Sequence, residues 1–267
     1  MEEKTQRKYM LIIAVLCVLI IIGFVIILMN TVFKEKSDAA NEIEYTYKSD
    51  RVQKYREYLY IEDGSEDIYL MLVNRESNIG EYKPEYLVST GSVTDVEVSR
   101  YDYYVEARAL KALTAMFLEA ETDGIVGIRV TSAYRSYEKQ VQLFDEYCKE
   151  EMAADPSLTR SEAEAIVKRY SMPAGCSEHQ TGLCVDLYDI NSPSTVLKKS
   201  FANTKAGKWL AENCHRFGFV LRFEEDKEKY TGIDFEPWHF RYVGIEAAAE
   251  MKERGMCLEE YKEYLGK

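Results

Sequence analysis

Two of the three histidines in this 267-residue chain have a carboxylate at short spacing. His179 is followed seven residues later by Asp186, across a glycine-containing turn, and Glu236 stands three residues before His239. Two neutral imidazoles and one carboxylate give zinc three protein ligands and leave its fourth position open, as a catalytic zinc site requires. A further carboxylate beside that position can accept a proton from water. His179, Asp186 and His239 are therefore suited to hold one zinc ion per chain, with Glu236 as the base.

Spacing by itself leaves ordinary structural roles open for these residues. A single histidine is more often a packed or solvated side chain than a ligand, because imidazole fills many roles. His215 has no carboxylate partner in the sequence and is interpreted as structural. Asp186 could equally form a salt bridge on its strand. The metal site and a purely structural interpretation thus remain alternatives at this point.

The secondary-structure elements that must position these residues follow an order along the chain. Helices come first, and short strands follow around the polar motifs. We predict an α+β fold, in which a small, mainly antiparallel sheet has helices packed on it and is preceded by one transmembrane helix. Apolar spacing and the capping signals at Ser136, Thr159 and Glu162 predict helices at 105–121, 136–151, 159–170, 204–216, 245–253 and 258–265. Apolar and β-branched runs predict strands at 125–132, 183–188, 217–223 and 238–243, and a strand or a short packed edge at 67–74.

Residues 10–29 form an unbroken uncharged and almost wholly apolar segment, long enough to cross a bilayer. A cleaved signal peptide would have a shorter apolar run with a small-residue cleavage site close behind it, so an uncleaved anchor is favoured. A slight excess of basic residues before the segment favours an inside N-terminus. We therefore predict a cytoplasmic tail at 1–9, a transmembrane anchor at 10–29, a stalk at 30–65 and an extracellular domain at 66–267, on a single-pass protein of the cell membrane.

The formal net charge of −12 argues against nucleic acid as a partner, and no protein partner is implied. Six cysteines are present, of which Cys17 lies in the predicted anchor. An outward location permits disulfides, but the remaining five are an odd number, so at least one thiol should be free or pair between chains. Cys184 lies two residues before Asp186. The role favoured for it is a buried inert thiol, followed by a disulfide and then by an extra metal ligand.

Three motifs, in order, resemble the VanY-type D-alanyl-D-alanine carboxypeptidases, part of a zinc peptidase superfamily that includes lysostaphin-like enzymes and the hedgehog signalling domain. They are SAYRS (132–136), PAGCSEHQTGLCVDL (173–187) and EPWHFRYVG (236–244), and LMLVN (70–74) also matches. The resemblance spans roughly 67–265. It implies a D,D-carboxypeptidase that acts on peptidoglycan stem peptides. In some relatives this trimming removes the target of glycopeptide antibiotics, but no residue here indicates a resistance role.

The resemblance also implies roles for individual residues. His179, Asp186 and His239 would bind zinc, and Glu236 would activate water and protonate the leaving amine. Arg135 would face the substrate's carbonyl or carboxylate, as its planar, permanently charged fork allows. Gln140 and Ser177 match positions that hold the terminal carboxylate, and Trp238 would line the site. For Arg135 the alternative is a surface ion pair, and for Gln140 it is an exposed helix position.

Some positions depart from the family pattern, and other functions stay open. Phe223 and Glu224 stand where relatives often have Tyr-Pro, so substrate preference could differ, and Cys176 and Cys184 replace other small residues. An L,D-carboxypeptidase that trims tetrapeptide stems would use the same zinc ligands. A non-catalytic wall-binding module would have no need of a base such as Glu236.

Overall fold

A four-stranded antiparallel sheet carries the residues predicted to form the site. The computed structural model describes Gly23, residues 45–59, Ile61 and residues 66–266. The sheet has the strand order β3-β4-β6-β5, and a separate two-stranded sheet pairs β1 with β2. The strands are β1 (Leu87–Ser89), β2 (Tyr104–Glu106), β3 (Ile128–Ser132), β4 (Cys184–Asp189), β5 (Phe219–Phe223) and β6 (Glu236–Tyr242). The predicted α+β class with a small antiparallel sheet is thus confirmed.

Helices precede, connect and follow these strands. They are α1 (Glu66–Tyr69), α2 (Ala107–Thr122), α3 (Tyr137–Ala154), α4 (Arg160–Val167), α5 (Lys205–Asn213), α6 (Glu228–Thr231), α7 (Ile245–Arg254) and α8 (Leu258–Tyr264). Short 3-10 helices lie at Asp50–Tyr58, Thr90–Ser92, Glu178–Thr181, Pro193–Thr195, Lys199–Asn203 and Cys214–Phe217. All helices expected between 105 and 265 are present, and α4 ends three residues before the predicted 170 because Lys168 already occupies its C-cap.

Local sequence accounts for where the helices begin and for how α2 packs. Ser136 accepts a hydrogen bond from the backbone of Lys139 at the start of α3, and Thr159 forms a reciprocal capping box with Glu162 at the start of α4. Helix α2 is buried along most of its length, and most of its buried residues are apolar. It therefore forms the helical core of the domain.

The pairing of β4 with both of its neighbours determines which side chains share a face. Asp186 lies opposite His239 on β6 and opposite Ser132 on β3, and Cys184 lies opposite Arg241. Directly opposed residues of antiparallel strands project to the same side of a sheet. Residues two apart on one strand do so as well. Asp186, His239, Cys184 and Arg241 therefore project to one face.

The segment at 67–74 is not a strand, which corrects one of the two alternatives predicted for it. Its first residues form the short helix α1, and irregular backbone follows. Leu70 and Val73 are buried three residues apart, and Leu70 packs in a cluster with Val243 and Met251. The apolar residues of this segment are buried by packing against the domain, without pairing to another strand. Their apolar character therefore reflects a packed edge.

The N-terminal boundary of the compact unit differs from the predicted one. This unit begins at Thr46, earlier than the predicted boundary at 66. The 3-10 helix Asp50–Tyr58 buries Val52 and Tyr55, and the backbone N–H groups of Lys48 and Ser49 donate to the buried carboxylate of Glu119 on α2 at 2.8 and 3.0 Å. Residues 46–59 of the predicted stalk are therefore packed on the domain.

The predicted cytoplasmic tail and transmembrane anchor, apart from Gly23, lie outside the described residues. Within the described part of the chain, no helix combines the length and the apolar character needed to cross a bilayer.

Candidate metal centre and active site

The three predicted metal ligands come together from three separate elements. His179 lies in the 3-10 helix Glu178–Thr181, Asp186 on β4 and His239 on β6, and all three are buried. The Oδ2 atom of Asp186 is 3.3 Å from Nε2 of His179, and its Oδ1 atom is 3.0 Å from Nδ1 of His239. The two imidazole rings are nearly perpendicular, with centroids 5.1 Å apart. Each oxygen of the Asp186 carboxylate thus lies close to a ring nitrogen of one of the two histidines.

The electrostatics of this cluster suit a cation. Burial would raise the pKa of Asp186, but the adjacent imidazoles of His179 and His239 hold it well below its usual range. Burial would lower the pKa of His179, yet the nearby Cys184 and Asp186 raise it to about 9. The cluster therefore concentrates negative charge around two imidazoles. In donor type, burial and charge, His179, Asp186 and His239 fit a zinc ion.

Cys184 adds a fourth candidate donor to the cluster. Its Sγ atom and one ring nitrogen from each of His179 and His239 all lie within 4.8 Å of one another. Burial raises the pKa of the Cys184 thiol, but the two imidazoles outweigh burial and bring it down to about 7. The described cysteines are all free and buried, so the disulfide alternative for Cys184 is wrong. A packed thiol and an extra metal ligand remain.

Glu236 lies beside the proposed ligands and is shielded from solvent. Its Oε2 atom is 3.9 Å from Nδ1 of His239, and only a small part of the residue is exposed. Burial raises the pKa of Glu236 to about 8, although the imidazoles of His239 and His179 partly oppose this. A carboxylate with a pKa near neutrality can both accept and release a proton at physiological pH, as a general base and acid must.

The cavity in front of this cluster has a volume of about 390 Å³ and is lined by most of the predicted substrate-binding residues. Arg135, Ser177 and Trp238 all contribute to its wall. The guanidinium of Arg135 forms no ion pair with a described residue, and its buried Nε atom makes no hydrogen bond within the described structure. Arg135 is thus available to a negatively charged ligand, and the surface ion pair considered for it is not formed.

Gln140 is not brought to the cavity wall. It is fully buried on α3, and its amide nitrogen donates to the Met172 carbonyl and to Ser171 Oγ. Ser171 and Met172 themselves line the cavity. Gln140 therefore supports the wall from behind, which differs both from the predicted direct contact with substrate and from the exposed helix position. Its burial is decided by the packing of α3 on the segment after α4, which the sequence pattern does not reveal.

Four aromatic residues that line the cavity were not predicted as contacts, namely Tyr147, Tyr170, Phe223 and Phe235. Tyr147 and Tyr170 both line the cavity, with ring centroids 5.6 Å apart in an edge-on arrangement. Phe223 also lines it and packs on the imidazole of His239, at a centroid distance of 4.8 Å. Nothing in the spacing of Tyr147 and Tyr170 marks them, because α3 and the segment after α4 meet only in the tertiary structure.

A buried group of charges behind the cluster was missed as well. Glu178, next to His179 in the chain, accepts a hydrogen bond from Nε of Arg222 at 2.8 Å, and its Oε1 atom is 3.1 Å from Nη1 of Arg241. Arg222 is paired further with Glu259 at 2.8 and 2.6 Å. The available signal was an arginine inside each of two segments predicted as strands, because a buried charge requires a partner.

The chain that has this geometry is similar to proteins of known family. The family model VanY: D-alanyl-D-alanine carboxypeptidase matches residues 102–245, a range that includes every predicted site residue. The chain belongs to this VanY family. A D-alanyl-D-alanine carboxypeptidase of Enterococcus faecalis is 38% identical over 203 residues, which cover 75% of this chain and 68% of that protein.

Two solved structures extend the comparison of this VanY family member. One is a variant of the vancomycin resistance D,D-pentapeptidase VanY from a VanB-type resistance cassette, in complex with Zn(II). It has 36% identity and a TM-score of 0.60, and the match covers 73% of this chain and 98% of that one. The other is the LdcB LD-carboxypeptidase, with 35% identity, a TM-score of 0.62 and coverage of 75% and 88%. The two similar structures thus come from enzymes of D,D and of L,D type.

Proposed function

We propose that this VanY family member is a zinc D,D-carboxypeptidase that removes the terminal D-alanine from peptidoglycan stem peptides ending in D-Ala-D-Ala. The observation that carries the proposal is that Glu236 and Arg135 line the same cavity as the His179–Asp186–His239 cluster. Among the described residues, the guanidinium of Arg135 has no ion-pair partner. The cavity therefore contains side chains that can bind a metal ion, transfer a proton and bind a carboxylate. The names of the Enterococcus faecalis relative and of the zinc-containing D,D-pentapeptidase support this choice.

The metal would be held by His179 Nε2, His239 Nδ1 and Asp186. Bound zinc supplies Lewis-acid chemistry, because it polarises a carbonyl group and makes water more acidic. The protein's own contribution is to keep these three ligands buried and correctly oriented. The Nδ1–H of His179 donates to the Ala133 carbonyl at 2.7 Å, which directs Nε2 toward Asp186 and the ligand cluster.

Glu236 moves the proton in this proposal. It accepts a proton from the attacking water as the new C–O bond forms at the scissile carbonyl carbon. It then delivers that proton to the amine nitrogen of the departing D-alanine as the C–N bond breaks, so the proton balance closes within one side chain. The raised pKa of Glu236 keeps both steps accessible near neutral pH.

Arg135 would select substrates by their free carboxylate. Its planar guanidinium can donate two parallel hydrogen bonds to a carboxylate, and this pairing is strong where water is excluded. Ser177 and Trp238 lie in the same wall. A peptide whose C-terminus is held there presents its last peptide bond to Glu236 and the ligand cluster, which is the requirement for removing a single terminal residue.

The test is product analysis with the full-length chain, zinc, and defined stem peptides. We expect release of D-alanine from a pentapeptide stem, lost with chelator and in the Glu236→Gln variant. Release from a tetrapeptide stem alone would replace the proposal by the L,D-carboxypeptidase alternative, which the likeness to LdcB keeps open. If neither peptide is cleaved above the Glu236→Gln background while zinc is bound, the wall-binding alternative takes its place.

We further propose that residues 10–29 anchor the protein in the cell membrane with the catalytic domain outside. The support is the uncharged apolar sequence of that segment. Peptidoglycan lies outside the membrane, so this location would bring enzyme and substrate together. Membrane fractions should retain the chain after alkaline washing, and protease added to cells without a wall should remove the domain. Recovery in the soluble fraction, or protection from protease, would contradict this location.

A further inference from the structure

Two buried polar atoms face each other directly behind the proposed metal ligands. Nε2 of His239 and Oε2 of Glu178 are 3.4 Å apart, and both side chains are almost completely buried. Neither atom has a hydrogen-bond partner elsewhere in the described part of the chain. Unsatisfied buried polar atoms are costly and uncommon, so two of them in opposition indicate an interaction that forms fully in another state of the site.

The carboxylate of Glu178 is held so that only one oxygen can reach His239. Its Oε1 atom accepts a hydrogen bond from Nε–H of Arg222 at 2.8 Å and lies 3.1 Å from Nη1 of Arg241. Arg222 is itself fixed by two short contacts to Glu259 on α8. Because Oε1 is occupied and the cations are buried, Glu178 cannot rotate without losing them, and Oε2 stays directed at the imidazole.

The imidazole of His239 has its other nitrogen toward the ligand cluster. Nδ1 is 3.0 Å from Oδ1 of Asp186 and 3.9 Å from Oε2 of Glu236. A metal ion needs an unprotonated ring nitrogen, so a metal on Nδ1 requires the proton on Nε2. His179 has the opposite arrangement, since its Nδ1 faces the Ala133 carbonyl and its Nε2 faces Asp186.

We propose that Glu178 is a positioning residue, whose carboxylate accepts the Nε2–H of His239 and so holds that ring with Nδ1 toward the metal. The inference rests on the metal site of the proposed function. It assigns the two histidines different acceptors, a neutral carbonyl for His179 and a buried carboxylate for His239. An acceptor carboxylate increases the basicity of a ligand imidazole and fixes its tautomer.

The first test uses the unmodified full-length chain loaded with zinc, so it does not depend on any variant folding. Long-range ¹H–¹⁵N correlation spectra report which nitrogen of each histidine carries hydrogen. We expect Nε2–H for His239 and Nδ1–H for His179. Nδ1–H on His239 in the zinc-loaded protein would overturn the inference, because Glu178 would then have no proton to accept.

The second test compares zinc affinity in Glu178→Gln with a matched control, Glu259→Gln. In Glu178→Gln the amide oxygen accepts the hydrogen bond from Arg222, so the amide NH₂ faces Nε2 of His239. This NH₂ group favours the His239 tautomer with hydrogen on Nδ1, which cannot bind the metal through Nδ1. We expect zinc affinity to fall about 10- to 100-fold, as for other acceptors of ligand histidines. Glu259→Gln removes the same charge from the Arg222 network without touching His239, and should change affinity much less.

Equal losses of zinc affinity in the two variants would overturn the inference, because they would point to the charge network as a whole. Neither readout involves hydrolysis. Failure of the proposed function would therefore appear as normal zinc binding without D-alanine release. Failure of the positioning role would appear as unchanged affinity in Glu178→Gln.

Discussion

Asp186 on β4 lies directly opposite His239 on β6, and its Oδ1 atom is 3.0 Å from Nδ1 of that histidine. The pairing of two strands, rather than a flexible loop, therefore sets the distance between two of the proposed metal ligands. Because side chains alternate along a strand, a register shift of one residue would send one ligand to the other face of the sheet. Asp186 and His239 are consequently held in place by the sheet itself.

Glu236 should govern the acid limb of the pH profile. A base acts only when it is deprotonated, so kcat/KM should rise with pH as Glu236 loses its proton. Burial raises the pKa of Glu236 to about 8, and the charge of a bound cation lowers it, so the limb should lie below about pH 8. Glu236→Gln should lower kcat by about 100- to 10,000-fold and keep its zinc. Steady-state kinetics and metal analysis check this, and an unchanged acid limb in the variant would contradict the role.

Arg135 should be required for substrates with a free C-terminal carboxylate. Arg135→Lys keeps the charge but loses the planar fork, so kcat/KM should fall about 10- to 100-fold, as expected for loss of a charge-assisted hydrogen bond. The exposed Arg254, paired with Glu250 on α7, offers the matched control Arg254→Lys, which should leave kinetics unchanged. If Arg135→Lys lowers kcat/KM for a peptide with an amidated C-terminus as much as for the free acid, Arg135 does not recognise the carboxylate.

The cysteines of the domain should behave as protected thiols. Those described are free and buried, and burial raises the pKa of both Cys214 and Cys257 to about 12. Ellman's reagent should therefore label them only after denaturation, without prior reduction. Fewer thiols in the denatured, unreduced chain would indicate a disulfide.

Cys184→Ala should retain one zinc ion per chain, because His179, Asp186 and His239 remain. The cobalt-substituted wild-type protein should likewise show no thiolate-to-cobalt charge-transfer absorption. Loss of zinc from Cys184→Ala, or such an absorption in the wild type, would show that Cys184 is a metal ligand. Both measurements are independent of turnover.

Gly182 should be required for the turn between His179 and β4. Its φ of +72° lies in the left-handed region, and an added Cβ would be 2.6 Å from Cδ2 of Leu87 and 3.3 Å from the less yielding backbone nitrogen of Glu106. Gly182→Ala should lower the free energy of unfolding by more than the about 1–2 kcal/mol typical of a left-handed residue. Gly124 has a similar φ of +77° and open space around it, so Gly124→Ala isolates the conformational part. Equal losses in denaturant unfolding would show that contact with Leu87 does not matter.

Much of the secondary structure was predictable because its signals are local. Ser136 and Thr159 begin helices through hydrogen bonds to residues three positions away, and those contacts are present. The segment at 67–74 was less predictable, since a short apolar run is compatible with a strand or with a packed edge. The packing of residues 46–59 was also hidden, because the carboxylate that receives their backbone, Glu119, lies about seventy residues away.

For the site, residue types and motif order determined the candidates, and the tertiary structure decided how they are arranged. His179, Asp186, His239 and Glu236 could be named from the sequence because a catalytic zinc site requires that set of groups. Strand register and contacts between distant segments bring these four side chains together. The same contacts bury Gln140 behind the cavity wall and place Glu178 behind His239. Periodicity and capping describe only neighbours along the chain, so they carry no information on such contacts.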